Sequence, residues 1–157
     1  MSTTTWLASG SMVAKLLSPQ ELRVWHAFRL MGEDVLSRVG RDIAEATGLS
    51  GSEFGVLSRL AAIGNGEMRQ QHLARTMGWD KSRLSHQLTR MQERKLIERR
   101  RSQGNAVVVL LTETGREMLW DARPVHAESV RSNLLSRLTP DQIATIVRIS
   151  NLLGEEE

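Results

Sequence analysis

Apolar residues recur with a helical period along the first third of the chain. Val24, Phe28, Met31, Val35, Val39 and Ile43 are three or four positions apart, which lines them along one stripe of an α-helix. The segment "SPQE" (18–21) provides the start: a Ser able to cap, a Pro at the first helical position and a Glu at the third. "TGLS" provides a Gly stop and, at Ser50, a new cap. The spacing predicts a helix over 18–47, about 42 Å long at roughly 1.5 Å per residue. One small globule cannot cover that length, so part of the stripe is expected to pack on a second subunit.

The remaining pattern is a run of short elements. Phe54, Val56, Leu57 and Leu60 mark a second helix, 51–63, ended by "GNG" (64–66). A third helix, 67–77, stops at "MGWD", and Asp80 caps a fourth that runs to about Lys95. "LIERRR" and "AVVVLL", joined by the polar turn "SQGN", read as a β-hairpin. "TETG" (112–115) restarts helix to about Arg137, with a kink or break expected at Pro124. "TPDQ" (139–142) repeats the cap-Pro-Gln signature before a last helix, 140–153. The order is α-α-α-α-β-β-α-α, with no internal repeat.

The fourth helix carries the chemistry. Stepping about 100° per residue from Leu84 places Leu88 and Met91 on one narrow stripe that faces a core. Ser82, His86, Thr89, Arg90 and Glu93 fall on the opposite side, flanked by Arg83 and Ser85. A solvated helix usually alternates Glu and Lys in i,i+4 pairs. This face instead offers short hydroxyl and amide groups and forked guanidinium groups, which suit phosphates and base edges. The stripe is too narrow for a membrane-surface helix. Two helices before it and a hairpin after it make the order of a winged helix-turn-helix, whose recognition helix enters the major groove while the wing touches backbone or minor groove. The DNA-contacting set is then Lys81, Ser82, Arg83, Ser85, His86, Thr89 and Arg90, with Arg99, Arg100 and Arg101 in the hairpin. Arg69, Arg75 and Arg94 read as phosphate contacts or solvated charges.

Charge distribution agrees. The net charge is only +3, but Arg69 to Arg101 holds ten Lys and Arg against three Asp and Glu, a local +7 on an otherwise acidic chain. Hydrophobic residues at 40% and charged residues at 25% fit one folded domain. No apolar run reaches the roughly 18–20 residues of a membrane span, and the first residues lack a signal peptide's pattern, so no membrane role and a cytoplasmic location are expected. With no Cys, disulfides and thiolate metal sites are excluded. The four His show no metal-ligand spacing, so no metal or cofactor is expected. No phosphate loop, nucleophile elbow or metalloprotease motif is present, which argues against an enzyme.

Three segments, "GLSGSEFGVLSRLA" (48–61), "QQHLARTMGWDKSRLSHQLTRMQERKLIERR" (70–100) and "VVVLLTETGREML" (107–119), resemble the MarR-type (multiple antibiotic resistance regulator) winged-helix repressors. The resemblance covers about 19–153. It implies a mainly α fold with a small β-hairpin wing, in which a winged helix-turn-helix lobe is joined to a helical dimerisation region from the N- and C-terminal helices. The corresponding division is a tail (1–17), a dimerisation helix (18–47), the lobe (48–112, with recognition helix 80–95 and wing 96–111) and C-terminal dimerisation helices (113–157). It further implies a homodimer that represses from a palindromic operator on double-stranded DNA and is released by a small aromatic or phenolic effector. In such proteins the effector pocket lies where the dimer helices meet the lobe. Trp25, His26, Arg29, Phe54 and Trp120 are candidates to line it, the alternative being that the aromatics are core or interface residues. One departure stands out: the family's Asp-x-Arg at the wing is replaced by Gln103 and Asn105. The competing function is therefore a protein-interaction module on the same scaffold, without specific DNA readout.

Overall fold

The computed structural model describes residues 16–154, so the tail expected over 1–17 lies outside the described residues apart from Leu16 and Leu17, as do the last three positions. Helix α1 (Pro19–Thr47) begins as its sequence dictates: the Ser18 N–H donates to the Glu21 carboxylate at 2.7 Å, and the Glu21 N–H donates to the Ser18 hydroxyl at 3.3 Å. Its stripe divides. Val39 and Ile43 are buried, whereas Val24, Phe28 and Met31 stay 66%, 53% and 48% exposed. The chain forms two compact units, one through Gly32 and one from Glu33 onward. Within the first, the helix presents Leu22, Trp25 and Leu30 to solvent as well.

The second unit carries the core. Helix α2 (Gly51–Ala62) opens with a reciprocal Ser50–Glu53 capping box and crosses α1 at two glycines, where a Cβ on Gly51 would lie 3.1 Å from the Gly40 Cα. Strand β1 (Glu67–Arg69), α3 (Gln70–Met77), α4 (Lys81–Glu93), β2 (Ile97–Arg101), β3 (Val107–Leu111), α5 (Glu113–Asn133) and α6 (Pro140–Gly154) follow. Leu57, Leu60, Leu73, Leu84, Leu88 and Met91 have no exposure, so α2, α3 and α4 meet around one apolar centre closed by Ile97 and Val109 of the sheet.

Three expectations need correction. The helix expected over 67–77 begins at Gln70, because 67–69 pair with β3 as a third strand (Met68 opposite Val109), giving the antiparallel order β1-β3-β2. The turn before it, with positive φ at Asn65 and Gly66, aims this segment at the open edge of β3, and the Leu111 N–H reaches the Gly66 carbonyl at 2.8 Å. Pro124 does not break α5. The carbonyl its ring leaves without a donor belongs to Trp120, and both residues are exposed, so water can take that bond. The helix ends at Asn133 rather than near Arg137, where a short 3-10 turn (Leu135–Arg137) intervenes.

Arg94, expected from the sequence to be a phosphate contact or a solvated charge, is paired within the protein. Its guanidinium lies 2.7 Å from the buried carboxylate of Glu53 and donates to the Gly48 carbonyl at 3.1 Å, tying the end of α4 to the start of α2. Removing the cation strands the carboxylate of a side chain that is 6% exposed. Because the Arg94 side chain is itself 42% exposed, water can partly replace it. Arg94→Ala should therefore cost about 2 kcal/mol, measured by urea denaturation; an unchanged midpoint would mean the pair contributes nothing.

Candidate nucleic-acid interface

The turn between α3 and α4 is built to be stiff. Gly78 adopts φ 62°, the left-handed conformation that closes a helix, and the Trp79 N–H returns to the Ala74 carbonyl at 3.0 Å. Asp80 then caps α4, its carboxylate accepting the Arg83 N–H at 2.9 Å. That hydrogen bond holds the Asp80 carboxyl below its ordinary value. Trp79, held between the two helices, is half-buried against the core, and the Arg83 guanidinium lies 4.4 Å over its ring.

With Leu84, Leu88 and Met91 fully buried, the rotation of α4 is fixed. Lys81, Ser82, Arg83, His86, Thr89 and Arg90 are all exposed on one surface, and Ser85 is half-buried beside them. Gln87 widens the inner stripe beyond the wheel: it is 6% exposed, and its side-chain oxygen accepts from Arg90 at 2.6 Å. Thr89 donates its one hydroxyl proton to the Ser85 carbonyl at 3.1 Å.

The hairpin divides the three arginines. Side chains alternate across a strand, so Arg99 and Arg101 share the face of buried Ile97, while Glu98 and Arg100 share the other. Arg99 folds back on α4, donating to Gln92 at 2.8 Å and to the Thr89 hydroxyl at 3.1 Å. Arg100 pairs with Glu98 at 3.2 Å. Arg101 is exposed and, with Arg99, Ser85 and Gln92, lines a shallow groove between the strand and α4. Gln103–Asn105 form a tight turn, with Gly104 and Asn105 at positive φ, closed by the Ser102 N–H on the Ala106 carbonyl at 2.8 Å. Between this turn, α3 and α4 lies a cleft of about 310 Å³ lined by Arg69, Gln70, Lys81, Leu84, Asn105 and Val107. The helical pattern of the sequence does not point to Trp79, although it stands just before a cap and four residues ahead of a cation.

Comparison with known proteins agrees with this arrangement. The model of the MarR family matches residues 41–106, the stretch from the end of α1 to the wing turn. Residues 41–106 are a MarR-family winged-helix domain. The solved structure of AbsC, a MarR-family transcriptional regulator from Streptomyces coelicolor, superposes with a TM-score of 0.79 at 26% identity, covering 90% of this chain and 97% of that one. A second Streptomyces coelicolor MarR-family regulator, solved in complex with DNA, gives 0.81 at 24%, covering 92% of each. Bordetella bronchiseptica BpsR, whose DNA binding is regulated by 6-hydroxynicotinic acid, gives 0.75 at 20%, covering 85% and 99%. No curated protein matches by sequence. The family's members are transcriptional regulators rather than enzymes. Among the described residues, no helix is long and apolar enough to cross a membrane, and no His, Asp and Glu cluster could hold a metal ion.

The effector candidates are placed individually. Trp25, His26 and Arg29 lie on the exposed turns of α1 in the first unit. In the second, Trp120 is 70% exposed with Arg123 5.7 Å over its ring. Phe54 is 9% exposed and stacks on His126, ring centroids 4.7 Å apart. Burial pushes the His126 imidazole below its ordinary value of 6.5, since the charged form loses hydration. Between that lowered value and about 6.5 the unfolded chain holds more proton, so stability falls as pH drops through this window. Thermal melts at about pH 7.5 and pH 5.5 should show a smaller acid-induced loss in His126→Phe than in wild type. Equal losses would remove His126 as a cause.

Proposed function

We propose that the chain is a cytoplasmic, sequence-specific DNA-binding repressor that works as a homodimer on a palindromic operator and responds to a small aromatic acid or phenol. The observation that carries the DNA reading is the outer surface of α4. An anchored helix offers Lys81, Arg83, His86, Thr89 and Arg90 together, beside a strand whose Arg99 is bonded to it. Guanidinium and ammonium groups supply phosphate attraction, and the hydroxyl, imidazole and guanidinium edges supply base readout. The altered wing fits this reading if its turn supports the helix from the side while Arg101 contacts backbone.

The homodimer reading rests on unpartnered apolar surface. Val24, Phe28 and Met31 continue a stripe that is buried further along the same helix, and Val147, Ile149, Leu152 and Leu153 leave α6 without one buried residue. Exposed apolar runs of this kind mark association surfaces. Two copies would set two α4 helices about 34–36 Å apart, one turn of DNA. An effector would then act by favouring a different separation of those helices. The response of BpsR to 6-hydroxynicotinic acid supports the ligand class.

Two measurements test the proposal. In anisotropy titrations against an operator enriched from random duplexes, Arg83→Ala should weaken binding by about 1–3 kcal/mol. Wild-type log K should fall against log salt with a slope of about −0.9 per phosphate neutralised. A flat salt response would remove DNA as the partner, and unchanged affinity in Arg83→Ala would remove that residue from the contact. In light scattering, Phe28→Glu should convert a dimer to a helical monomer; a dimer that persists would place the interface elsewhere.

A further inference from the structure

Arg83 is held differently from its neighbours. Arg90, Arg94, Arg99 and Arg100 each donate to a protein oxygen. Among the described residues, no acceptor takes a hydrogen bond from the Arg83 guanidinium; what holds it is the Trp79 ring, 4.4 Å below. The ring has little freedom of its own. Its backbone is pinned between the left-handed Gly78 and the capping Asp80, and its side chain packs against the core cluster that contains Leu84.

Stacking occupies the face of a guanidinium and leaves its N–H edge free. Arg83 is the third residue of α4, in the helix turn that approaches base edges in a major groove. An Arg there with one face covered by a ring and no protein acceptor on its N–H edge has its fork available to a base. Guanine offers two acceptors, O6 and N7, to a bidentate donor, whereas adenine places a donor beside N7 and cytosine offers a donor alone. A freely rotating Arg would contact phosphate as readily as base, and an Arg bonded to a carboxylate would have spent its fork.

We infer that Trp79 is a specificity-determining positioning residue, stacking Arg83 so that its fork reads one guanine in each half-site. This rests on the reading of α4 as a DNA recognition helix.

The test measures base preference as well as affinity. After selection of bound sites from random duplexes, each position of the half-site is varied through all four base pairs. Wild type should prefer G·C at one position by roughly 5- to 150-fold. Trp79→Leu keeps apolar bulk in the core but removes the ring. It should lower that preference several-fold at that position alone, with preferences elsewhere and the salt slope unchanged. Trp79→Phe, a weaker stacking partner, should fall between. Arg83→Lys keeps a cation over an intact Trp79 but has no fork, and should lose the same preference. Trp79→Phe and Arg83→Lys decide the matter if Trp79→Leu fails to fold. A guanine preference that survives in the Trp79 variants, or a loss spread evenly over all positions, overturns the inference while leaving DNA binding intact. Wild type enriching no sequence overturns the DNA reading and this inference with it.

Discussion

The seating of one narrow stripe, Leu84, Leu88 and Met91, in the centre shared by α2 and α3 fixes what the rest of this surface can do. Three fully buried side chains on successive turns leave a helix no rotational freedom, because turning it would expose apolar area and open a cavity. The outward direction of Arg83, His86 and Arg90 follows from that burial. The ends of α4 are fixed separately, by Asp80 at the start and by the Arg94–Glu53 pair at the finish. The helix is thus a rigid rod with defined ends, and the polar groups on it inherit that definition.

The same logic extends to the hairpin. Central β3 pairs on both sides, so β2 is held in register with Ile97 facing the core and Arg99 one step further along that face. Register delivers Arg99 to Thr89 and Gln92, while Arg100 pairs with Glu98. A run of three identical residues therefore has three different environments. On the proposal that this surface meets DNA, the strand is a lateral support of the helix, a role that does not require an arginine at the tip of the turn.

Features governed by local periodicity were legible in the sequence. The stripe of α4, the caps at Ser18, Ser50 and Thr139 and the approximate bounds of α1 and α2 rest on contacts within three or four residues. Features governed by distant partners were not. Strand β1 is three residues long and exists through its pairing with β3, 41 positions away at Met68 and Val109. Arg94 looked like one more basic residue because Glu53 lies 41 positions before it. Gln87 is polar by residue type, yet it sits inward with its side-chain oxygen bonded to Arg90. The exposed half of the α1 stripe was legible as an excess of helix over globule, a constraint of length rather than of contact. The candidate DNA-facing set was readable as a face; how Trp79 and Arg99 hold members of that face was not.

The central claim is that two copies of α4 enter successive major grooves of a specific duplex. Methylation interference at guanine N7, on a fragment enriched by the wild-type chain, reports major-groove contact directly. The account predicts interference in two segments on one face of the duplex, centred about 10 base pairs apart and related by two-fold symmetry. Interference confined to a single groove segment, or none at any guanine, would contradict it.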